Sequence, residues 1–215
     1  MPPLVSIVGK SKAGKTTLLE KLVKELKSRG YRIATIKHTH HALGVDEPGK
    51  DSWRHLQAGT EATVISSTDK IVLTKPITQE PTLDEIAHLI GEDYDIILTE
   101  GFKSRDAPKI EVHRKEIAPP FEDAKKLVAI ATDEPLETKA RQFSLDDIKG
   151  LADLLEKGFI KPQRERTSLY VNNTSIPLTV FPKQIISNIL LAMASSLKGV
   201  GEIKTIELFL RREPK

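Results

Sequence analysis

The segment Gly9-Lys10-Ser11-Lys12-Ala13-Gly14-Lys15-Thr16 constrains this chain more than any other, because the residues on either side fix its surroundings. Leu4 to Val8 is a short continuous apolar run, as expected of a strand buried on both faces. Leu18, Leu19, Leu22, Val23 and Leu26 follow at helical spacing, with Gly30 where a helix C-cap belongs. Strand, glycine-rich loop and helix in this order match the Walker A pattern. The glycines let successive backbone N–H groups turn inward around a phosphate, and the helix adds the positive end of its dipole. Lys15 is then placed to reach β- and γ-phosphates, and the Thr16 hydroxyl to ligate Mg²⁺. Lys10 and Lys12 are secondary candidates, for the bound nucleotide or for one held by a second copy.

The rest of the chain predicts an α/β fold: a mostly parallel P-loop core sheet with helices on both faces, plus a small C-terminal module. Strands are expected at Ile33–Ile36, Ala62–Ser66, Ile71–Thr74, Asp95–Thr99 and Leu127–Ala131, with Ile110–His113 as an edge strand. Asp51 reads as the N-cap of a helix running to Ala58, and Thr82 with Glu85 as a capping box. A further helix opens around Ser144 and Asp147 and ends near Gly158. After Phe159 the polar, basic stretch Lys161–Thr167 reads as a linker, which divides residues 1–160 from a β-β-α-β module over 167–215. That module is read as a hairpin around Asn172 and Asn173, a helix over Phe181–Leu197 and a last strand in which Ile206, Leu208 and Leu210 alternate.

Composition narrows the chemistry. No cysteine occurs among the 215 residues, which excludes disulfides, Cys-ligated zinc, iron–sulfur clusters and thiol catalysis. The net charge of +3 is mild and demands no nucleic-acid partner. No run approaches the roughly 18 apolar residues of a membrane span, and Met1–Lys10 lacks the features of a secretion signal, so a cytoplasmic location is expected. The abundance of Lys and Glu without Cys leans towards a thermophilic source.

Asp95-Ile-Ile-Leu-Thr-Glu100-Gly101 is an apolar strand ending in a carboxylate. At the carboxyl end of a parallel strand, Glu100 would share a crevice with the loop and hold Mg²⁺, directly or through water, while Gly101 lets an N–H approach the γ-phosphate. Lys15 and Glu100 are thus the candidate catalytic pair, and Thr16, Glu100 and Asp51 the candidate metal ligands. Lys37 and His38 open a loop with His40, His41 and Asp46 that is expected to contact an anionic ligand rather than a transition metal. Asp133 ends a late strand, where a carboxylate can accept from the ring N–H and exocyclic amine of guanine; adenine offers no such pair of donors on that edge.

The sequence resembles the molybdopterin-guanine dinucleotide biosynthesis protein B (MobB) family. The motifs are VGKSKAGKTTLLEKLV (8–23), IKHTHH (36–41), GKDSWRHLQAGTEAT (49–63), DIILTEGFK (95–103) and KIEVHR (109–114), extended by ATDEPL (131–136) and DDIKGLADLL (146–155). The resemblance implies a homodimeric GTP-binding accessory protein; hydrolysis is expected to be slow, because no residue stands out as a dedicated arginine finger. It would assist the molybdenum cofactor guanylyltransferase that joins GMP to molybdopterin, giving the dinucleotide form of the cofactor. By position it implies that Gly9 to Thr17 (Gly9, Lys10, Ser11, Lys12, Ala13, Gly14, Lys15, Thr16, Thr17) hold phosphates and Mg²⁺. Lys37, His38 and Asp51–Arg54 would border the site, Glu100 and Gly101 would form its acidic strand end, and Asp133 would read the base. Two other functions stay open from the residues alone. A small-molecule kinase or ATP-dependent ligase is disfavoured by the lack of an Arg-rich lid, and a metallochaperone GTPase by the lack of cysteine.

Overall fold

A computed structural model describes residues 1–39, 47–121, 125–163, 165–172 and 174–212. The apolar run forms β1 (Leu4–Val8), with four of its five residues buried. It sits inside a six-stranded sheet ordered β2 (Ile33–Lys37), β5 (Ile96–Glu100), β1, β6 (Lys109–Val112), β7 (Leu127–Thr132), β8 (Arg141–Ser144). Every pairing in this sheet is parallel, so all six carboxyl ends lie along one edge.

The two faces of the sheet differ. On one, the alternate residues Val5, Ile7, Leu98, Ile110, Val112 and Ala131 pack with α1 (Lys15–Ser28) and α4 (Ile148–Leu155). The helices contribute Leu18, Leu22 and Leu26 from α1 and Leu151 and Leu155 from α4. Burying each such leucine stabilises the fold by about 1.5–3 kcal/mol. The other face buries polar groups: Ser6, Thr99, Lys109 and Glu111. There the Thr99 hydroxyl donates to Ser6 Oγ at 2.8 Å, linking β5 to β1.

The predicted parallel α/β core is present, with several corrections in detail. Ile110–His113 is no edge: β6 lies between β1 and β7 and all four of its residues are buried. Its charged residues find partners inside the fold. Lys109 Nζ donates to the carbonyls of Arg105, Ala107 and Lys125 at 2.7, 3.0 and 3.1 Å. Desolvation lowers the Lys109 pKa. The strands β3 (Thr63–Ser66) and β4 (Ile71–Thr74) form an antiparallel pair of their own, outside the main sheet.

Asp51 is the first residue of α2 (Asp51–Gln57), whose N-cap is Lys50, so the side-chain cap expected of Asp51 is absent. Its carboxylate lies 3.7 Å from Arg54 instead. The capping box of α3 (Leu83–Ile90) is as read, with both hydrogen bonds between Thr82 and Glu85 formed. The polar strand β8 was not anticipated. Asp147 caps α4 by accepting from the Gly150 N–H at 3.0 Å. The helix then loosens into a π-helical turn over Glu156–Ile160. Arg29 at the end of α1 ties to this region through Asp153 and Glu156, both at 2.7 Å.

The chain divides into two compact units, Pro2–Arg164 and Glu165–Lys215 together with Met1. In the second, β9 (Tyr170–Val171) and β10 (Thr174–Ser175) form a short antiparallel pair, followed by α5 (Val180–Ser195). The strand expected over Ile206–Leu210 does not form, and Leu208, Phe209 and Leu210 are 75%, 87% and 79% exposed. Alternating apolar residues specify a strand only where a neighbouring strand supplies the ladder.

Candidate functional site

The loop between β1 and α1 lies at the carboxyl edge of the sheet. Its shape depends on two glycines. Gly14 is the N-cap of α1 at φ 99°, and without a side chain it leaves the helix N-terminus open. Gly9, at φ 150°, lies so close to β6 that a Cβ there would be 2.5 Å from the Val112 carbonyl oxygen. Lys12 also adopts a left-handed conformation, at φ 64°. The loop is tied across its mouth by Lys15 Nζ, which donates to the Lys10 carbonyl at 2.8 Å. An anion arriving in such a loop would offer that ammonium a stronger, charge-assisted partner.

In the first turn of α1, the Thr16 hydroxyl donates to Glu100 Oε1 at 2.8 Å. Glu100 ends β5, where pairing with both β1 and β2 places it opposite Ile7 and Lys37. The Lys37 Nζ lies 3.7 Å from its other carboxylate oxygen. A hydroxyl and a carboxylate held together at the foot of an open helix N-terminus form an all-oxygen donor pair, the set a hard divalent cation such as Mg²⁺ prefers. Gly101 follows at φ 100°, and its N–H donates to the Ile7 carbonyl at 3.0 Å. A Cβ on Gly101 would meet His38 Cβ at 3.5 Å. The His38 ring packs on Phe102, with centroids 4.8 Å apart, and its Nδ1 is 4.0 Å from Glu80. His40, His41 and Asp46 lie outside the described residues. Among the described residues no group of three His, Cys, Asp or Glu could hold a metal ion.

A cleft of about 230 Å³ opens on the other side of the loop. Gly14, Thr17 and Lys21 form one wall, and Arg114, Asp133 and Asp146 are on the other. Asp133 therefore borders the same loop as Lys15, from the end of β7. One of its oxygens accepts from the Lys115 N–H at 3.0 Å, and the other lies 3.8 Å from Arg114. Arg114 in turn donates to the Ala13 carbonyl at 3.2 Å, which joins the two walls. The Lys21 ammonium pairs with Asp146 at 2.8 Å and holds that carboxyl below the usual range.

The structure thus gathers Lys10, Lys15, Thr16, Lys37, His38, Glu100 and Gly101 along one chain of contacts, and Asp133 across the loop from them. Asp51 is exposed, with Arg54 as its partner. Sequence reasoning gave no role to Lys21, Arg114 or Asp146. Arg114 carried a signal, since it directly follows the strand motif KIEVH; Asp146 follows a strand too polar to be recognised.

Comparison with known proteins shows what the chain as a whole is similar to. A family model described as molybdopterin guanine dinucleotide synthesis protein B matches residues 4–133. A molybdopterin-guanine dinucleotide biosynthesis adapter protein from Haemophilus influenzae is 38% identical over 156 residues, covering 72% of this chain and 88% of its own. A relative of the same description from Escherichia coli is 36% identical, over 72% of this chain and 92% of its own. A relative from Methanocaldococcus jannaschii, 27% identical, aligns over 95% of this chain and 96% of its own, so its match extends into the C-terminal unit. Among solved structures, a molybdopterin-guanine biosynthesis protein B superposes with a TM-score of 0.59 at 28% identity, over 73% of this chain and 99% of that one. Among the described residues no helix is long and apolar enough to cross a membrane.

Proposed function

Since the chain belongs to the molybdopterin guanine dinucleotide synthesis protein B family, we propose that it is a GTP- and Mg²⁺-binding adapter in the formation of molybdopterin-guanine dinucleotide. The observation that carries the nucleotide reading is the Thr16–Glu100 hydrogen bond of 2.8 Å beneath the open N-terminus of α1. A hydroxyl and a carboxylate in contact are the donors that would hold Mg²⁺ beside a bound phosphate, and Lys15 is poised across the loop.

In this reading the N–H groups of Gly9 to Thr17 surround the phosphates, and Lys15 exchanges the Lys10 carbonyl for phosphate oxygen. Thr16 and Glu100 would hold Mg²⁺, whereas the Gly101 N–H, expected at the terminal phosphate, is taken by the Ile7 carbonyl. When bound, Mg²⁺ neutralises charge on the phosphate oxygens. The base enters the cleft beside Arg114, where Asp133 accepts from guanine. Among the described residues the arginine at the loop is Arg114, on the Asp133 side; hydrolysis is expected to be slow, with any acceleration coming from a second copy or from the guanylyltransferase partner. The protein works in the cytoplasm as a homodimer, close to molybdopterin or its dinucleotide form. The C-terminal unit is a separable module.

Calorimetric titration with GTP and with ATP, in Mg²⁺, tests this reading. GTP is expected to bind more tightly than ATP by about tenfold to hundredfold, the worth of one charged hydrogen-bonding pair. Lys15→Ala is expected to abolish tight binding without unfolding the chain. Equal GTP affinity in the Lys15 variant, or fast ATP turnover by the purified protein, would overturn it.

A further inference from the structure

Three segments leave the carboxyl ends of β1, β5 and β6 and meet at one aromatic ring. The loop after β1 brings Lys10, whose Nζ is 5.0 Å from the centroid of the Phe121 ring. The loop after β5 brings Lys103, whose Nζ is 5.7 Å from the same centroid. The segment after β6 brings Phe121 itself. Its N–H donates to Glu111 Oε1 at 2.9 Å, and Glu111 is only 1% exposed. The backbone that carries the ring is therefore tied to the sheet. Phe121 is half-buried, while both lysines are exposed.

The phosphate loop does not account for this cluster. Lys10 gives its carbonyl to Lys15, so its backbone belongs to the first site, but its ammonium rests on Phe121. Two ammonium groups share one ring, and among the described residues neither has an ion-pair partner. An aromatic face holds an exposed cation only modestly, whereas a phosphate holds ammonium groups through charge-assisted hydrogen bonds. A phosphate arriving here would draw both lysines off the ring and leave its face free. An aromatic face so exposed is a stacking platform for a heterocycle.

The geometry points to a second binding site, distinct from the Lys15–Thr16 site, for an aromatic heterocycle bearing a phosphate monoester: the ring stacks on Phe121 and the phosphate lies between Lys10 and Lys103. A phosphorylated pterin and a purine nucleotide share this chemistry. The choice of the pterin rests on the function proposed above, while the site itself rests on the cluster.

The test is a fluorescence titration of the full chain, without nucleotide, using neopterin monophosphate as probe. Neopterin and inorganic phosphate are the comparisons, and GMP is the competitor. Neopterin monophosphate is expected to bind at least about tenfold more tightly than neopterin or phosphate, because each lacks half of the recognition. Phe121→Leu keeps apolar volume without the aromatic face and is expected to weaken the probe about tenfold; Lys103→Gln and Lys10→Gln should each weaken it about fivefold. Thermal melts of each variant separate lost binding from lost fold, and the two lysine changes lie on exposed side chains. Displacement of the probe by GMP at equal concentration identifies the occupant as a purine nucleotide and upholds the site. Equal affinity for neopterin and its phosphate, or unchanged affinity in both Phe121→Leu and Lys103→Gln, overturns it. GTP calorimetry on the same preparation reads the first site separately, so failure of one reading is not mistaken for failure of the other.

Discussion

The Thr16 hydroxyl and the Glu100 carboxylate, 84 positions apart, are joined by a hydrogen bond of 2.8 Å. The bond exists because β5 lies beside β1 and ends level with the loop that β1 feeds into α1. Removing the hydroxyl tests its purpose. Thr16→Ala is expected to weaken GTP binding in Mg²⁺ about tenfold to hundredfold, while Thr16→Ser stays within about threefold of the parent. Calorimetry repeated in EDTA should erase the difference between the variants, because the hydroxyl then has no metal to hold.

Gly9 offers a test of loop geometry. A Cβ at this position meets the Val112 carbonyl oxygen at 2.5 Å, and φ is 150°. Gly9→Ala is expected to cost at least about 1–3 kcal/mol in a urea melt. Gly158, whose Cβ would meet nothing within 4 Å, serves as the control. Gly158→Ala should be neutral or stabilise by up to about 1 kcal/mol.

Glu111 predicts a pH dependence. Burial pushes its carboxyl pKa up, and among the described residues Oε2 has no hydrogen-bond partner. A raised folded-state pKa favours the protonated form, so its stabilising contribution is full below the unfolded value and is lost as pH rises through the folded one. Glu111→Gln preserves an acceptor for the Phe121 N–H and removes the buried charge. It is expected to raise the melting temperature at pH 7 and to lose that advantage below about pH 4. A variant that melts lower at pH 7 would show that the charge itself is needed.

Glu156 has the opposite sign. Hydrogen bonds from Lys161 and then Arg29 hold its pKa down to about 2, from 4.5. Its contribution is present above the unfolded value and disappears as pH falls towards 2. Melts of the parent and Glu156→Gln should therefore differ at pH 6 and converge near pH 2.

A chain ending at residue 164 is expected to stay folded and to bind GTP as the full chain does. The contacts described at the loop, at Glu100 and at the Asp133 cleft all lie within Pro2–Arg164. Circular dichroism and calorimetry of the shortened chain check this.

Local pattern was informative wherever the forces were local. The apolar run, the glycines and the helical spacing after Lys15 predicted β1, its loop and α1, and the capping box predicted the start of α3. Strand β6 was misread for an instructive reason. Lys109, Glu111 and His113 alternate with apolar residues and so resemble a strand with one face in water. The structure buries all three, giving them carbonyls, the Phe121 N–H and Glu134 as partners. Those partners lie in other segments, so no window of sequence displays them. The polar β8 owes its existence to the neighbouring β7, and the alternation at Ile206–Leu210 found no such neighbour. On the site, the roles carried by one local pattern were legible, whereas Lys21 and Asp146 lie in two separate motifs and are paired only by the fold.

The three carbonyls around Lys109 treat its ammonium much as a chelator treats an ion. This clamp lies at the amino end of β6, while the Val112 carbonyl at the other end fills the space that a side chain on Gly9 would need. The strand is thus moored at one end and bears on the phosphate loop at the other. Because one strand carries both Glu111 and the carbonyl that Gly9 faces, a substitution at Glu111 is expected to be read at the loop that Gly9 begins as well as in the core.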